Sequence, residues 1–382
     1  MAKAVRRPAR AARRGLTFAR LGAGQFLYLL PGGILSAPRS RGAVAERIAI
    51  WLAGGPLAFS SVELVMRDAE ERIGRRFTLP QLRYWTARQP HAMGRRVIEL
   101  MARASEPRPP FAGLSASRPL IMGVINVTPD SFSDGGRFLE TDRAIAAAIR
   151  MAEEGADLID VGGESTRPGA DPVSPDEECH RILPVVRALA ERGIPVSVDT
   201  RHARVMGAAL EAGARIINDV TALGGDPASL KLAARTGASV VLMHMLGEPR
   251  TMQASPTYRE VALDLYDFFA ARLAACAEAG IGRERLCLDP GIGFGKTVEH
   301  NRDILANLAL FHGLGCPLLL GVSRKSFIAR LSRGEAVGER LPGSLAAALA
   351  GLDQGVQILR VHDVAETAQA RAVWRAIAVE AQ

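Results

Sequence analysis

Beyond about residue 118 the chain alternates between two kinds of pattern. Short runs of β-branched residues and leucine occur as "LIMGVINV", "DLIDVGG", "PVSVDT", "RIINDV", "SVVLMH", "RLCLDP", "PLLLGVS" and "VQILRVH". Between them lie stretches with apolar residues at helical spacing, such as "TDRAIAAAIRMAEEGA", "SPDEECHRILPVVRALAERG" and "SLKLAARTGA". Many of these close on glycine, the usual helix stop. Strands that alternate with helices pair in parallel through right-handed crossovers. Eight such units in residues 119–382 fit the size of a (β/α)8 TIM barrel, an α/β fold. An open doubly wound sheet is the competitor, and eight even repeats favour closure.

The front of the chain has another rhythm, and residues 44–104 read as helical. In "SSVELVMRDAEERI", Ser60 and Glu63 have capping-box spacing, with apolar residues at helical intervals behind them. A second helix is predicted from "TLPQLRYW", with Thr78 as cap and Pro80 in the first turn. The stretch "SEPRPPFAGLSASRP" is a linker by composition. The expected organisation is therefore a small, mainly helical N-terminal segment over 1–118 and a barrel over 119–382. The start, "MAKAVRRPARAARRG", has no acid and little apolar content, and reads as a disordered tail.

Charge sharpens that division. Residues 1–118 carry 21 Lys and Arg against 7 Asp and Glu, whereas the remainder carries 27 against 33. The basic front could touch nucleic acid or an anionic surface, but a solvated Arg-rich segment is the plainer account, and no nucleic-acid partner is expected. The longest apolar run, "FLYLLPGGIL", is short and broken by Pro31, Gly32 and Gly33, so no membrane span is expected. It also lies too late for a secretory signal. Four cysteines stand far apart with no C-x-x-C spacing. That argues against a zinc site or disulfide framework and fits a reducing cytoplasm.

In a barrel of this kind the active site lies at the C-terminal ends of the strands. Those ends carry Asn126, Glu164, Asp199, Asn218, His244, Asp289, the Ser323–Lys325 stretch, and Arg360 with His362. One polar strand end is ordinary solvent contact, but eight on one rim predict a polar bowl. The loop "TPDSFSDGG" after the first strand would hang over it. Asp199, Asn218, Asp289 and Lys325 suit a planar heterocycle with mixed donors and acceptors, because a carboxylate accepts two hydrogen bonds from a guanidine-like edge. Asn126, Arg360 and His362 suit an anion or a metal-bound anion. Each has a plain structural alternative. Asp199 or Asp289 can cap the following turn, Lys325 can be a surface lysine, and His362 can be a hydrogen-bonded structural histidine. "DPGIGFGKT" has neither Walker A nor dinucleotide-fingerprint spacing and is set aside.

The motifs "GVINVTPDSFSDGG", "GGESTRPGA", "VSVDT", "INDV", "LMHM", "LDPGIGFGK", "GVSRKS" and "RVHD" stand in the order and spacing of dihydropteroate synthase. The resemblance runs from about Pro119 to the C-terminus and says nothing of the first 115 or so residues. It implies a pterin-binding barrel that condenses 6-hydroxymethyl-7,8-dihydropterin diphosphate with 4-aminobenzoate, releasing diphosphate. Asp199, Asn218, Asp289 and Lys325 resemble the pterin contacts, and Thr166 a substrate contact in the second loop. Asn126 resembles a ligand to Mg2+ on the diphosphate, which Arg360 and His362 would hold. Phe132, Arg167, Pro168 and Ser326 resemble the aminobenzoate pocket, and Gly293 and Phe294 match the loop after the sixth strand. The resemblance also implies sulfonamide sensitivity and a homodimer. Three other enzyme or binding roles compete. A pterin-dependent methyltransferase would share the pterin set without needing the diphosphate set. An aldolase would use Lys325 as a Schiff base. A non-catalytic binding role would rest on the basic front.

Overall fold

The computed structural model describes residue 18 and residues 25–127, 137–164, 173–247 and 251–380, with side chains of 137–139 excepted. Eight short parallel strands form the expected barrel: β5 (Leu120–Asn126), β6 (Leu158–Gly162), β7 (Val196–Asp199), β8 (Ile216–Asp219), β9 (Ser239–Met243), β10 (Leu286–Asp289), β11 (Leu319–Leu320) and β12 (Ile358–Val361). The pairing runs β10-β9-β8-β7-β6-β5-β12-β11. A parallel bridge between Leu288 and Leu318 closes the ring, and the Leu288 amide donates to the Pro317 carbonyl at 2.9 Å. Closure leaves no unpaired strand edge.

Helices cover the outside of the ring: α4 (Arg137–Glu153), α5 (Pro175–Glu191), α6 (Ala203–Glu211), α7 (Ser229–Thr236), α8 (Val261–Glu278), α9 (Val298–Ala306), α10 (Ser326–Leu331), α11 (Leu341–Leu352) and α12 (Val364–Ala378). Local sequence explains their ends. Ser174 caps α5 by accepting from the Glu177 amide, with three acids in the first turn. Gly237 ends α7 in the left-handed conformation.

The barrel interior follows from the two-residue period of a strand. Its lower layer is apolar: Met122, Leu158, Ile216, Val241, Cys287, Leu319 and Ile358, closed from below by Phe111 of the linker. Two residues further along β6, β8, β10 and β12, on the same inward face, stand Asp160, Asn218, Asp289 and Arg360. One layer thus separates an oily plug from a polar bowl.

The front segment corrects the helical expectation. It contains β1 (Phe26–Leu35), α1 (Arg39–Ala45), β2 (Ile50–Trp51), β3 (Ala58–Arg67), β4 (Arg72–Thr78), α2 (Leu79–Thr86) and α3 (His91–Ser105). β3 pairs antiparallel with β1 along one edge and with β4 and β2 along the other. The predicted helix "SSVELVMRDAEERI" is therefore a hairpin. Ser60 does not cap it, because its hydroxyl donates to the Gly33 carbonyl across the sheet. Asp68 turns the chain by accepting from the Glu70 and Glu71 amides. Pairing with β1 overrides the helical propensity of Glu63, Leu64 and Met66. The second expectation holds: Thr78 accepts from the Gln81 amide, Gln81 Oε1 accepts from the Thr78 amide, and Pro80 lies in the first turn of α2.

The sheet is fastened to the barrel. Arg67, only 7 % exposed, reaches Asp264 (2.7 Å) and Asp267 (2.6 Å) on α8. Its Nε donates to the Tyr28 hydroxyl, which itself contacts Asp267 at 2.9 Å. Buried residues of both parts belong to one continuous hydrophobic cluster.

Candidate active site

The bowl is organised around a buried ion network. Arg360 Nε donates to Asp160 Oδ2 at 2.7 Å, and its Nη2 donates to Asp199 Oδ2 at 2.6 Å. Asn218 Nδ2 donates to the same Asp160 oxygen at 2.9 Å. Asp160 is fully buried and holds both neighbours in one orientation. Its partner-free Oδ1, and that of Asn218, are buried without a hydrogen bond among the described residues. Buried polar atoms of this kind are costly unless a ligand or water meets them.

Sequence reasoning missed Asp160. The signal was there: an acid within the apolar run "LIDVG" is unusual in a strand buried on both faces. Glu164, two residues past β6, drew attention instead. It is held in a two-point pair by Arg201 (2.9 and 3.1 Å) and by the Val173 amide, so it ties loops together. His244 likewise does not join the bowl. It is 6 % exposed, lies edge-on to Phe268 and meets Lys296 Nζ at 3.0 Å. The expectation of eight converging strand ends is corrected for these two.

Asp289 and Lys325 form the opposite wall. Asp289 Oδ1 accepts from the Gly291 amide at 2.8 Å. Lys325 Nζ donates to the Ile292 carbonyl at 2.7 Å and sits 4.1 Å over the Phe294 ring. Arg324, at φ 58°, adopts the left-handed conformation just before Lys325, which caps α10. That strained turn is over-determined by the Arg324–Asp363 ion pair and the Ser344 hydroxyl on the Arg324 amide. Ser326 is exposed at the start of α10.

The "GIGFG" stretch is a brace for this wall. Gly291 is at φ 63°, and a Cβ there would come within 2.0 Å of the His244 carbonyl oxygen. Lys296 is buried and donates to the His244 and Phe294 carbonyls, so it does not face a phosphate.

On the third side, a Cβ at Gly162 would lie 3.5 Å from both Asn126 Oδ1 and Asp199 Cβ. Gly162 pairs with Asn126 on one side and Asp199 on the other, which sets the two on one wall. His362 Nδ1 meets Ser323 Oγ at 3.1 Å, and the same oxygen accepts from the His362 amide. Ser323 thus fixes the orientation of the His362 ring. Phe132, Thr166, Arg167 and Pro168 lie outside the described residues.

Withdrawal from water sets the protonation of the bowl. Burial pushes the Asp199 carboxyl up, to about 7, against the pull of Arg360. Asp289 is also raised by burial. Burial lowers the Lys325 ammonium to about 8, partly offset by Asp289. His362 is lowered to about 4, first by burial and then by Arg360, so it is neutral near pH 7. The bowl can thus offer carboxylates and an amide to a donor-rich ring, and a guanidinium and a neutral imidazole to an anion.

Known proteins match this region. The sequence model of the family described as "Pterin binding enzyme" covers residues 122–362. The Escherichia coli K12 dihydropteroate synthase is 50% identical over 266 residues, which span 69% of this chain and 93% of that protein. The Haemophilus influenzae dihydropteroate synthase is 48% identical over 69% of this chain and 96% of its own length. A solved structure of the Xanthomonas albilineans enzyme with 4-aminobenzoic acid superposes with a TM-score of 0.66 at 46% identity, covering 69% of this chain and 94% of that one. The same organism's enzyme in complex with 7,8-dihydropteroate gives 0.63 at 44% identity, covering 69% and 95%.

Proposed function

The chain belongs to the dihydropteroate synthases of the pterin-binding enzyme family, and from that membership we propose how its bowl divides the work of the reaction. The enzyme joins 6-hydroxymethyl-7,8-dihydropterin diphosphate to 4-aminobenzoate and releases diphosphate. Residues 119–382 carry this chemistry. The observation that supports the division most is the single fork of Arg360, which ties Asp160 and Asp199 together beneath the mouth.

Asp199, Asn218, Asp289 and Lys325 take the pterin. Ionised carboxylates accept from the guanidine-like edge of the ring, and Lys325 donates to its oxo group. Asp160 does not touch the ring and positions Asn218 and Arg360. Arg360, the His362 imidazole and Thr166 take the diphosphate. Departure of diphosphate leaves a cation delocalised into the electron-rich ring, and Asp199 and Asp289 stabilise that charge. Phe132, Arg167, Pro168 and Ser326 hold 4-aminobenzoate. An aromatic amine attacks unprotonated at neutral pH, so the step needs no strong base.

Mg2+ suits Asn126. The amide is a hard oxygen donor, and no group of three His, Cys, Asp or Glu side chains could hold a metal among the described residues. One protein oxygen fits an ion that arrives on the diphosphate, where it would neutralise the leaving group's charge.

The enzyme acts as a homodimer in the cytoplasm. Val373 and Ile377 stand exposed one turn apart on α12, and the four cysteines are unpaired. Sedimentation of the full chain at half the mass of a dimer would remove the dimer. The reaction itself is tested by supplying dihydropterin diphosphate, 4-aminobenzoate and Mg2+, with each omitted in turn. Dihydropteroate should form only in the complete mixture; its absence there would refute the assignment.

A further inference from the structure

Under the barrel, opposite the bowl, is a cavity of about 330 Å3. It is bounded by the turn before β3, the linker before β5, the turn before β12, and α12. Leu57, Val356 and Trp374 supply much of its apolar wall. Its lining contains three arginines and no Asp or Glu.

Two of these arginines are neutralised locally. Arg118 pairs with Asp157, and Arg375 Nη2 lies 3.0 Å from Glu380 Oε1. Arg108 differs. It is only 8 % exposed, and its guanidinium donates to two carbonyls, those of Glu106 (3.2 Å) and His312 (3.1 Å). Its Nε has no hydrogen-bond partner among the described residues, and the Glu106 carboxylate acts on its charge from a distance without a direct ion pair. A buried cation whose hydrogen bonds go to neutral carbonyls gains from a counter-charge in direct contact. Burial also draws its pKa down to about 10. Small-molecule sites combine an apolar wall of this size with a few fixed polar groups.

We propose that this cavity is a second binding site, for a small organic anion whose apolar body lies against Leu57, Val356 and Trp374 and whose carboxylate pairs with Arg108. Its walls come from both the front segment and the barrel, so a ligand there would bind the two together. The site is distinct from the bowl, because it opens at the N-terminal ends of the strands.

The probes are naphthalene-2-carboxylate and its neutral isostere naphthalene-2-carboxamide. They are titrated by calorimetry into the full chain with excess 7,8-dihydropteroate present, so that the bowl is occupied. The carboxylate should bind one site per chain at least tenfold more tightly than the amide. Arg108→Gln should erase that ratio. Ala116→Phe, which adds bulk to the lining and leaves Arg108 in place, should abolish binding of both and decides the matter if Arg108→Gln does not fold. Equal affinities, no binding of the carboxylate, or binding unaffected by Ala116→Phe would each overturn the proposal.

Discussion

Asp199 carries two jobs that pull against each other. It must be ionised to stabilise positive charge, yet its burial favours the neutral form. Arg360, at 2.6 Å, is what keeps an anion available there. Asp199→Asn retains an acceptor for Arg360 and removes the charge, so the fold should persist while kcat/KM falls by about 100-fold or more. Steady-state kinetics beside a thermal melt checks both halves, and near-normal turnover would take Asp199 out of the mechanism. The same environment sets a pH profile. As pH falls through about 7, Asp199 gains a proton and kcat/KM should decline. As pH rises through about 8, Lys325 loses its charge and kcat/KM should decline again. A profile measured in Asp199→Asn should lack the acidic limb; an unchanged limb would assign it to another group.

At the scale of elements, the front segment is joined to the barrel by a shared apolar core and by a set of polar fastenings. Arg67 leaves β3 to hold two acids of α8, and Arg259 donates from the segment before α8 to the Asp68 carbonyl at 2.5 Å. That segment in turn holds the glycine-rich stretch beside the bowl, through Gln253 on the Gly293 carbonyl and Tyr258 on the Gly295 carbonyl. Arg67→Met leaves Tyr28, Asp264 and Asp267 without their cation. The two acids are about a quarter exposed and recover some hydration, so the expected loss is about 2–3 kcal/mol rather than more. Urea unfolding of the variant measures it, and a loss under about 0.5 kcal/mol, the range of an ordinary surface change, would show that the fastening is not energetic.

For the whole molecule, the barrel sums what its strands supply one residue at a time. Asp160, Asp199, Asn218, Asp289 and Arg360 come from five different strands and meet in one bowl, and one relative has been solved with a drug. A Yersinia pestis dihydropteroate synthase solved as a sulfonamide drug complex is 48% identical, with a TM-score of 0.66. Sulfonamides should therefore inhibit this enzyme in competition with 4-aminobenzoate. Initial rates at rising 4-aminobenzoate would show relief; inhibition that excess substrate leaves intact would place the drug elsewhere.

The order of strands and helices, the closed barrel and most of the bowl could be read from the chain alone. Those features depend on local period and on which residue ends each strand, and both are written in consecutive residues. Asp199, Asn218, Asp289, Lys325 and Arg360 were legible for that reason. The hairpin of the front segment was not, since Ser60 and Asp68 satisfy either a helix cap or a sheet turn until β1 arrives to pair with β3. Nor could the chain alone tell that His244 turns to Lys296 or that Glu164 turns to Arg201, and the acid within "LIDVG" marked Asp160 as unusual without giving its partners. Those choices were made by partners from 37 to 200 positions away. Burial, which decides what a charged side chain must find, exists only once the tertiary structure has closed.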